Sequence, residues 1–208
     1  LPVSTKLTKS NWIHRGPFNV GGRTRAFSFD VLDENTILAG GVTGGMFRST
    51  DGGQSWDLTT EPGQLHNVTC LAQDTRVGME DTWYFGSGEN RGGWLGDVSF
   101  LGNGIYKSTD GGMSWDSLHI TTSNTPQADD SDFDFVWNIV TDPSNDSMDV
   151  LYAATHGDIY KSSDGGLSWS KKLGGNNSSY YQYTSVEITS SGVVYAAISS
   201  NCIDEGIW

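Results

Sequence analysis

Several common classes are excluded by what the sequence has little of. Cysteine occurs twice in 208 residues, at Cys70 and Cys202, too few for a small disulfide-stapled scaffold. The two fall in repeats two apart in the alignment below, which argues against a bond between them and predicts a buried thiol at Cys70. Lysine and arginine number 12 against 25 acids, for a net charge of −13 and a pI near 4.4. Such an acidic surface repels nucleic acid and anionic lipid, so neither is an expected partner. No apolar run approaches the length of a bilayer-spanning helix, so no membrane insertion is expected. The opening LPVSTKLTKSNW has no charged segment followed by an apolar core and reads as a mature N-terminus. The four histidines, His14, His66, His119 and His156, are scattered without metal-ligand spacing. Gly-x-Ser-x-Gly, phosphate loops, Cys-x-x-Cys and helix-period patterning are all absent.

Glycine (27 residues) and aromatics (8 each of Trp, Tyr and Phe) are plentiful, as many short strands joined by turns require. The pattern S-x-D-G-G-x-S-W occurs three times. It is carried by Ser49, Asp51, Gly53 and Trp56, by Ser108, Asp110, Gly112 and Trp115, and by Ser162, Asp164, Gly166 and Trp169. Its aspartates are 59 and 54 residues apart, which marks a repeat protein. Physically the pattern is a self-bracing hairpin turn. The Asp carboxylate accepts from nearby N–H groups, the Gly pair supplies positive φ, the first Ser adds a local bond, and the Trp folds back over the turn.

Each motif sits in the same place in a unit of alternating segments. RTRAFSFD, TILAGGVT, GMFRST and SWDLTT make the first unit, with the motif between the third and fourth strands. NVTCLAQD, TWYFGSGE, GIYKST and SWDSLHI make the second, and FVWNIVTD, VLYAATHG, DIYKSS and SWSKKLG the third. A fourth opens with TSVEITSSG and VVYAAISSN and reaches GIW. Four-stranded units packed radially around a channel make a β-propeller. The expectation is therefore an all-β propeller with about three and a half blades present. A lead-in strap spans 1–22, followed by blades at 23–66, 67–134 and 135–183 and a partial blade at 184–208. End blades with open apolar faces predict that the rest of one larger propeller, or a covering partner, packs against them.

The repeated motif resembles the Asp-box of sialidases, sortilin-type receptors, xyloglucanase-type endoglucanases and photosystem assembly propellers. In those families the box is a structural brace at the blade periphery, away from the active face, and the resemblance implies the same here. The opening W-x-x-x-G-P-x-x-x-G-G-R, from Trp12 to Arg23, followed by Asp-box blades, most resembles large secreted or surface proteins of bacteria. It implies a secreted or cell-surface location. VTGGMFRST is similar to the V-G-G-A-Y-R-W segment of the xyloglucanase type, whose essential Asp aligns with Val42, a residue that cannot serve as acid or base. Sialidases place the first of three carboxylate-binding arginines near Arg23 and Arg25. Here R-T-R lacks the proline of their motif, and no further members stand out.

The inner strand of each blade descends from the top, so the second-to-third loops and the inter-blade loops share the top face and the boxes lie at the bottom. Arg23 and Arg25 are expected at the top of the first inner strand, aimed at the channel. The long loop from Gly86 to Gly104 carries Glu89, Arg91, Trp94 and Asp97. Trp94 can stack on a sugar face, while Glu89 and Asp97 hydrogen-bond hydroxyls or act as acid and base. His156 and Asp158 share a short top turn, and Tyr180 and Tyr181 offer further sugar platforms. Asp130, Asp132 and Asp134 have alternate spacing suited to calcium, although Phe135 stands where an EF-type loop needs glycine. No other cofactor is expected. Sequons stand at Asn67, Asn145, Asn176 and Asn177. These features point to an extracellular propeller whose top face recognises glycan or protein. A glycoside hydrolase with paired carboxylates on that face is the alternative.

Overall fold

A computed structural model of the chain describes residues 23–64, 67–89, 100–174, 183–199 and 206–207. Among the described residues, fifteen strands form four antiparallel sheets in chain order. The first contains β1 (Thr24–Phe29), β2 (Ile37–Gly41), β3 (Gly45–Ser49) and β4 (Asp57–Leu58). The second contains β5 (Val68–Gln73), β6 (Trp83–Ser87), β7 (Ile105–Ser108) and β8 (Asp116–Ser117). The third contains β9 (Val136–Thr141), β10 (Leu151–Thr155), β11 (Asp158–Ser162) and β12 (Ser170–Gly174). The fourth contains β13 (Tyr183–Ile188), β14 (Val194–Ser199) and β15 (Gly206–Ile207). A single 3-10 turn, His119–Thr121, is the one helical element among the described residues. Tyr183 opens β13, so the third blade ends before it rather than after it. The expected strap, 1–22, lies outside the described residues.

The first strands β1, β5, β9 and β13 lie side by side, so the sheets pack face to face as successive blades. The core is therefore divided among the blade interfaces. Between the first two blades Ala26, Leu38 and Met46 meet Val68, Trp83, Phe85, Tyr106 and Trp115. Between the next two, Cys70, Tyr84, Ile105 and Leu118 meet Val136, Ile139, Leu151 and Tyr160. Because both faces of an inner blade are covered, β6 is buried at all five positions instead of alternating. Space is tight where an inner strand crosses its neighbour's second strand. A Cβ on Gly40 would stand 2.3 Å from Val68 Cγ1, and one on Gly86 2.6 Å from Val136 Cγ1. Ala154 occupies the corresponding register position in the third blade and packs with Val186. Cys70 is free and buried, and burial pushes its thiol up to about 12. The outer faces of the end blades carry exposed side chains, Phe27 and Phe29 on β1 and Tyr195 on the fourth sheet.

The repeated motifs form the β3–β4, β7–β8 and β11–β12 turns. In the first, Asp51 Oδ1 accepts the N–H groups of Gln54 (2.8 Å) and Ser55 (2.9 Å), and Ser49 Oγ accepts that of Gly53 (2.9 Å). Ser108 and Asp110, and Ser162 and Asp164, repeat the arrangement. Trp56 and Trp169 fold back as expected, their Nε1–H groups donating to Gly53 O and Gly166 O at 3.1 Å. Trp115 does not. It is buried against Phe85, and its Nε1–H donates to Thr59 Oγ1 of the preceding blade at 3.0 Å.

The boxes also join blades. Arg48 Nε donates to Gly111 O (2.9 Å), and a Cβ on Gly112 would meet Leu38, as one on Gly166 would meet Leu118, both at 2.4 Å. N–H and O–H donors from Ser55 and Ser49 hold Asp51 at about 2, and those from Ser168 and Ser162 hold Asp164 at about 2, against an ordinary 3.8. Burial works against the same shift in Asp110, but the bonds from Ser114 and Ser108 outweigh it. Folded-state values below those of the unfolded chain mean that the boxes stabilise fully above about pH 4 and lose that contribution as pH falls towards about 2. An acid titration followed by circular dichroism should therefore lose stability across that window. In Asp51→Asn and Asp164→Asn variants the slope should flatten, and an unchanged slope would exclude the boxes as its source.

Candidate functional site

Strand register identifies one end of the blades. Thr24 pairs with Gly41, Val68 with Ser87, Val136 with Thr155 and Tyr183 with Ser199. The starts of all four inner strands thus lie beside the second-to-third turns, while Ile37 pairs with Ser49 and sets the box at the opposite end.

At the first end, residues from two blades converge. A register shift between Thr24 and Ala26 breaks the alternation of β1. Arg25 Nη1 lies 3.1 Å from Glu89 Oε1, and Arg23 Nη2 pairs with Glu89 Oε2. The Glu89 side chain is 2% exposed, whereas those of Arg23 and Arg25 are 41% and 37% exposed. Glu89 therefore serves as a buried counterion to two arginines and is closed to the sugar hydroxyls expected of it. The buried pairing also leaves it poorly placed as an acid or base.

The same residue begins the neck of the long β6–β7 loop. Its backbone forms a two-bond bridge with Phe100, at 2.7 and 2.8 Å. Asn67, the first sequon residue, is buried here: its Nδ2 donates to Leu101 O (2.7 Å) and its Oδ1 accepts Gly88 N–H (3.2 Å). Gly102 N–H donates to Asp134 O of the inter-blade loop at 2.8 Å. Val42 is buried beside this cluster, its N–H donating to Arg23 O at 2.9 Å.

The third and fourth blades contribute aromatics to the same end. Trp137 lies 5.1 Å from the half-exposed ring of Tyr183, and Phe135 stacks near Trp137 at 6.2 Å. Neither Trp137 nor Tyr183 stands out in the sequence, because aromatics on alternating strands are the ordinary material of a core.

His156 and Asp158 share a turn but turn to different partners. The His156 ring meets Phe135 edge-on at 5.7 Å, whereas Asp158 pairs with Lys171 Nζ at 2.7 Å. The same Lys171 lies 3.8 Å from Asp132, whose carboxylate also accepts the Tyr160 hydroxyl. Carboxylates beside it raise the Lys171 ammonium, Asp158 foremost.

The three acids with calcium spacing do not converge. Asp130 accepts from Thr125, Asp132 turns to Tyr160 and Lys171, and the buried Asp134 caps the N–H groups of Asp130 and Ser131 at 2.8 and 2.7 Å. Burial pushes the Asp134 carboxyl up against the pull of those N–H groups. No group of three or more potential metal ligands forms among the described residues. Arg91, Trp94, Asp97, Tyr180 and Tyr181 lie outside the described residues.

The BNR/Asp-box repeat family matches residues 47–58, the first box and its flanking strands. Xyloglucanase Xgh74A of Acetivibrio thermocellus is 26% identical over 196 residues, covering 83% of this chain. A solved ancestral GH74 enzyme superposes with a TM-score of 0.61 at 23% identity over 86% of the chain. The chain is an Asp-box β-propeller, present in part. It spans 22% of the length of Xgh74A and 22% of the ancestral enzyme. An auxiliary nutrient binding protein from Bacteroides thetaiotaomicron shares the propeller fold at a TM-score of 0.55 and 15% identity, covering 86% of this chain and 36% of its own. No helix among the described residues is long and apolar enough to cross a membrane.

Proposed function

We propose that this propeller is an extracellular or cell-surface binding module that recognises glycan through its top face. The observation that carries this reading is the fate of Glu89. The one described acid of the long top loop is buried and bound to two arginines, which makes it a scaffold for donors. The position at which the xyloglucanase type carries its Asp is the buried, apolar Val42. Hydrolysis by two carboxyls needs both free to exchange protons or attack, at a separation of roughly 5 to 9.5 Å. Recognition needs fixed donors and apolar ring surfaces, and Arg23, Arg25, Trp137 and Tyr183 supply both. The similarity to a named xyloglucanase supports glycoside hydrolysis as the second reading, with Asp97 as the remaining acid of that loop.

Binding of neutral and acidic oligosaccharides on a glycan array, with reducing-end release assayed on the same samples, separates the two. Retention without new reducing ends is the expected result. Released ends that disappear in an Asp97→Asn variant would establish the hydrolase instead.

A further inference from the structure

We propose that the end of the blades that carries the boxes is a docking surface for a basic, apolar-faced segment of a partner protein. This surface lies opposite the glycan-reading end and is independent of it. Aliphatic side chains gather here. Thirteen large apolar side chains are exposed among the described residues, and seven of them stand in the boxes or in the loops between the first and second strands. Leu32, Val77, Met148 and Val193 come from the four loops, and Met113 and Leu167 from two of the boxes. The opposite end carries two, Ile120 and Tyr183. Single exposed apolar residues are ordinary on any surface, but a concentration at one end marks a contact.

The loops that hold them are firmly built. Asp30, Asp74 and Asp142 each follow an inner strand and accept the N–H two residues on, from Leu32 (2.7 Å), Arg76 (3.1 Å) and Ser144 (2.9 Å). Neighbouring loops are then tied together. Val31 N–H donates to Gln73 Oε1 (2.9 Å), Gln73 Nε2 donates to Glu80 O (2.8 Å), and Arg76 Nη1 donates to Met148 O (3.0 Å). A Cβ on Gly192 would meet Ser144 Oγ, so the fourth loop closes on the third. The result is one preformed arc across all four blades, which leaves little ordering to be done when a partner binds.

Between the second and third blades the arc is cut by a cleft of about 460 Å³, lined by Thr75, Arg76, Val77, Met79, Pro143 and Asp146. Arg76 is already paired with Asp74 and Asp149, so the cleft offers aliphatic walls and an acidic rim. Val77 stands at its edge with 98% of its surface exposed. Such a cleft suits an apolar anchor side chain.

Charge decides what brings that anchor. The loops and boxes, residues 30–36, 50–56, 74–82, 109–115, 142–150, 163–169 and 189–193, hold twelve acids and one base, a balance of −11 within a chain of −13. Arg48, Lys107 and Lys161, on the strands that lead into the boxes, reduce the balance only to −8. Nucleic acid and anionic lipid are repelled, and so is a second copy presenting the same face. The exposed groups are aliphatic and lack the ring faces on which sugars stack. A protein segment that sets lysines or arginines against the acids and an apolar side chain in the cleft satisfies both features.

The test is fluorescence anisotropy of the full chain with a short peptide of alternating lysine and leucine. Two control peptides carry serine for leucine or glutamate for lysine. The lysine–leucine peptide is expected to bind, to weaken as salt rises, and to exceed both controls by about tenfold or more. Val77→Ser should weaken it about tenfold, whereas Ile120→Ser at the other end should leave it unchanged. Both side chains are exposed, so thermal melts should match those of the unaltered chain. Equal binding of the serine peptide would reduce the effect to bulk charge and overturn the proposal. Unchanged binding in Val77→Ser, or an equal loss in Ile120→Ser, would place the contact elsewhere and overturn it too. Sedimentation of the chain alone checks the rival occupant: a dimer that Val77→Ser dissolves would assign the face to a second copy instead.

Discussion

Replacing Arg76 by alanine is expected to destabilise the propeller by about 3–5 kcal/mol, the loss typical when one partner of a buried ion pair is removed. The Arg76 side chain is 7% exposed and every part of its guanidinium is engaged. Nε donates to Asp74 Oδ1 (2.9 Å), Nη2 reaches Asp74 (2.5 Å) and Asp149 (2.6 Å), and Nη1 donates to the carbonyls of Asn145 (2.9 Å) and Met148 (3.0 Å). Asp74 belongs to the β5–β6 loop of the second blade and the other three to the β9–β10 loop of the third, so one side chain ties two blades together at the box end. The hydrogen bonds from Asp74 hold the guanidinium charge firmly in place, and its ordinary value is raised further. Alanine strands the carboxylate of Asp74, which is itself 4% exposed, and frees two carbonyls. Urea unfolding monitored by tryptophan fluorescence measures the loss. An Asp74→Asn, Arg76→Met double variant should recover part of it, because no unpaired charge is then left behind. A single Arg76→Ala loss below about 1 kcal/mol would show that the loops rearrange to let water in.

Gly88→Ala is expected to cost about 3 kcal/mol or more, and to abolish ligand binding at the opposite end from Arg76. Gly88 has φ of +90°, which alanine resists. A Cβ there would also stand 1.8 Å from the carbonyl oxygen of Asp134, a backbone atom that cannot rotate away. Relief requires parting the β6–β7 neck from the inter-blade loop, and Glu89 moves with it. Arg23 and Arg25 then lose their shared counterion and their common direction. The expected signature is a lowered melting temperature together with loss of oligosaccharide binding. Intact binding in a folded Gly88→Ala variant would mean that the arginines hold their geometry without the neck.

The features readable from sequence were the ones written locally. Each box is braced by Ser and Asp hydrogen bonds within seven residues, so Ser49, Asp51 and Gly53 could be assigned roles from their order alone. The end of the blades that carries Arg23 and Arg25 followed from counting strands. What could not be read were partners brought together by register between blades. Glu89 looked like a free acid because its arginines lie 64 and 66 residues away, across a blade interface. Trp115 carries the same motif as Trp56, yet the hydroxyl that it finds belongs to Thr59. The acids at Asp130, Asp132 and Asp134 alternate as a strand would present them. However, the chain turns at Ser131–Asp134 and sends each carboxylate to a different neighbour. Trp137 and Tyr183 were invisible for the opposite reason, since nothing in a strand's alternation separates a partly exposed ring at the end of the blades from one filling a core.

The contacts between the boxes and the neighbouring blades bear on how such proteins change size. Gly112 accepts Leu38 of its predecessor and Gly166 accepts Leu118 of its own, and Arg48 reaches only as far as Gly111. Each unit carries one half of a joint on one side and the complementary half on the other. A gene that gains or loses a whole unit therefore reproduces the same joint without new complementary residues having to arise. Growth by duplication is open to this architecture, and because the units differ in length, with boxes 59 and 54 residues apart, while the Gly112–Leu38 and Gly166–Leu118 joints match, the loops can vary without disturbing the joints.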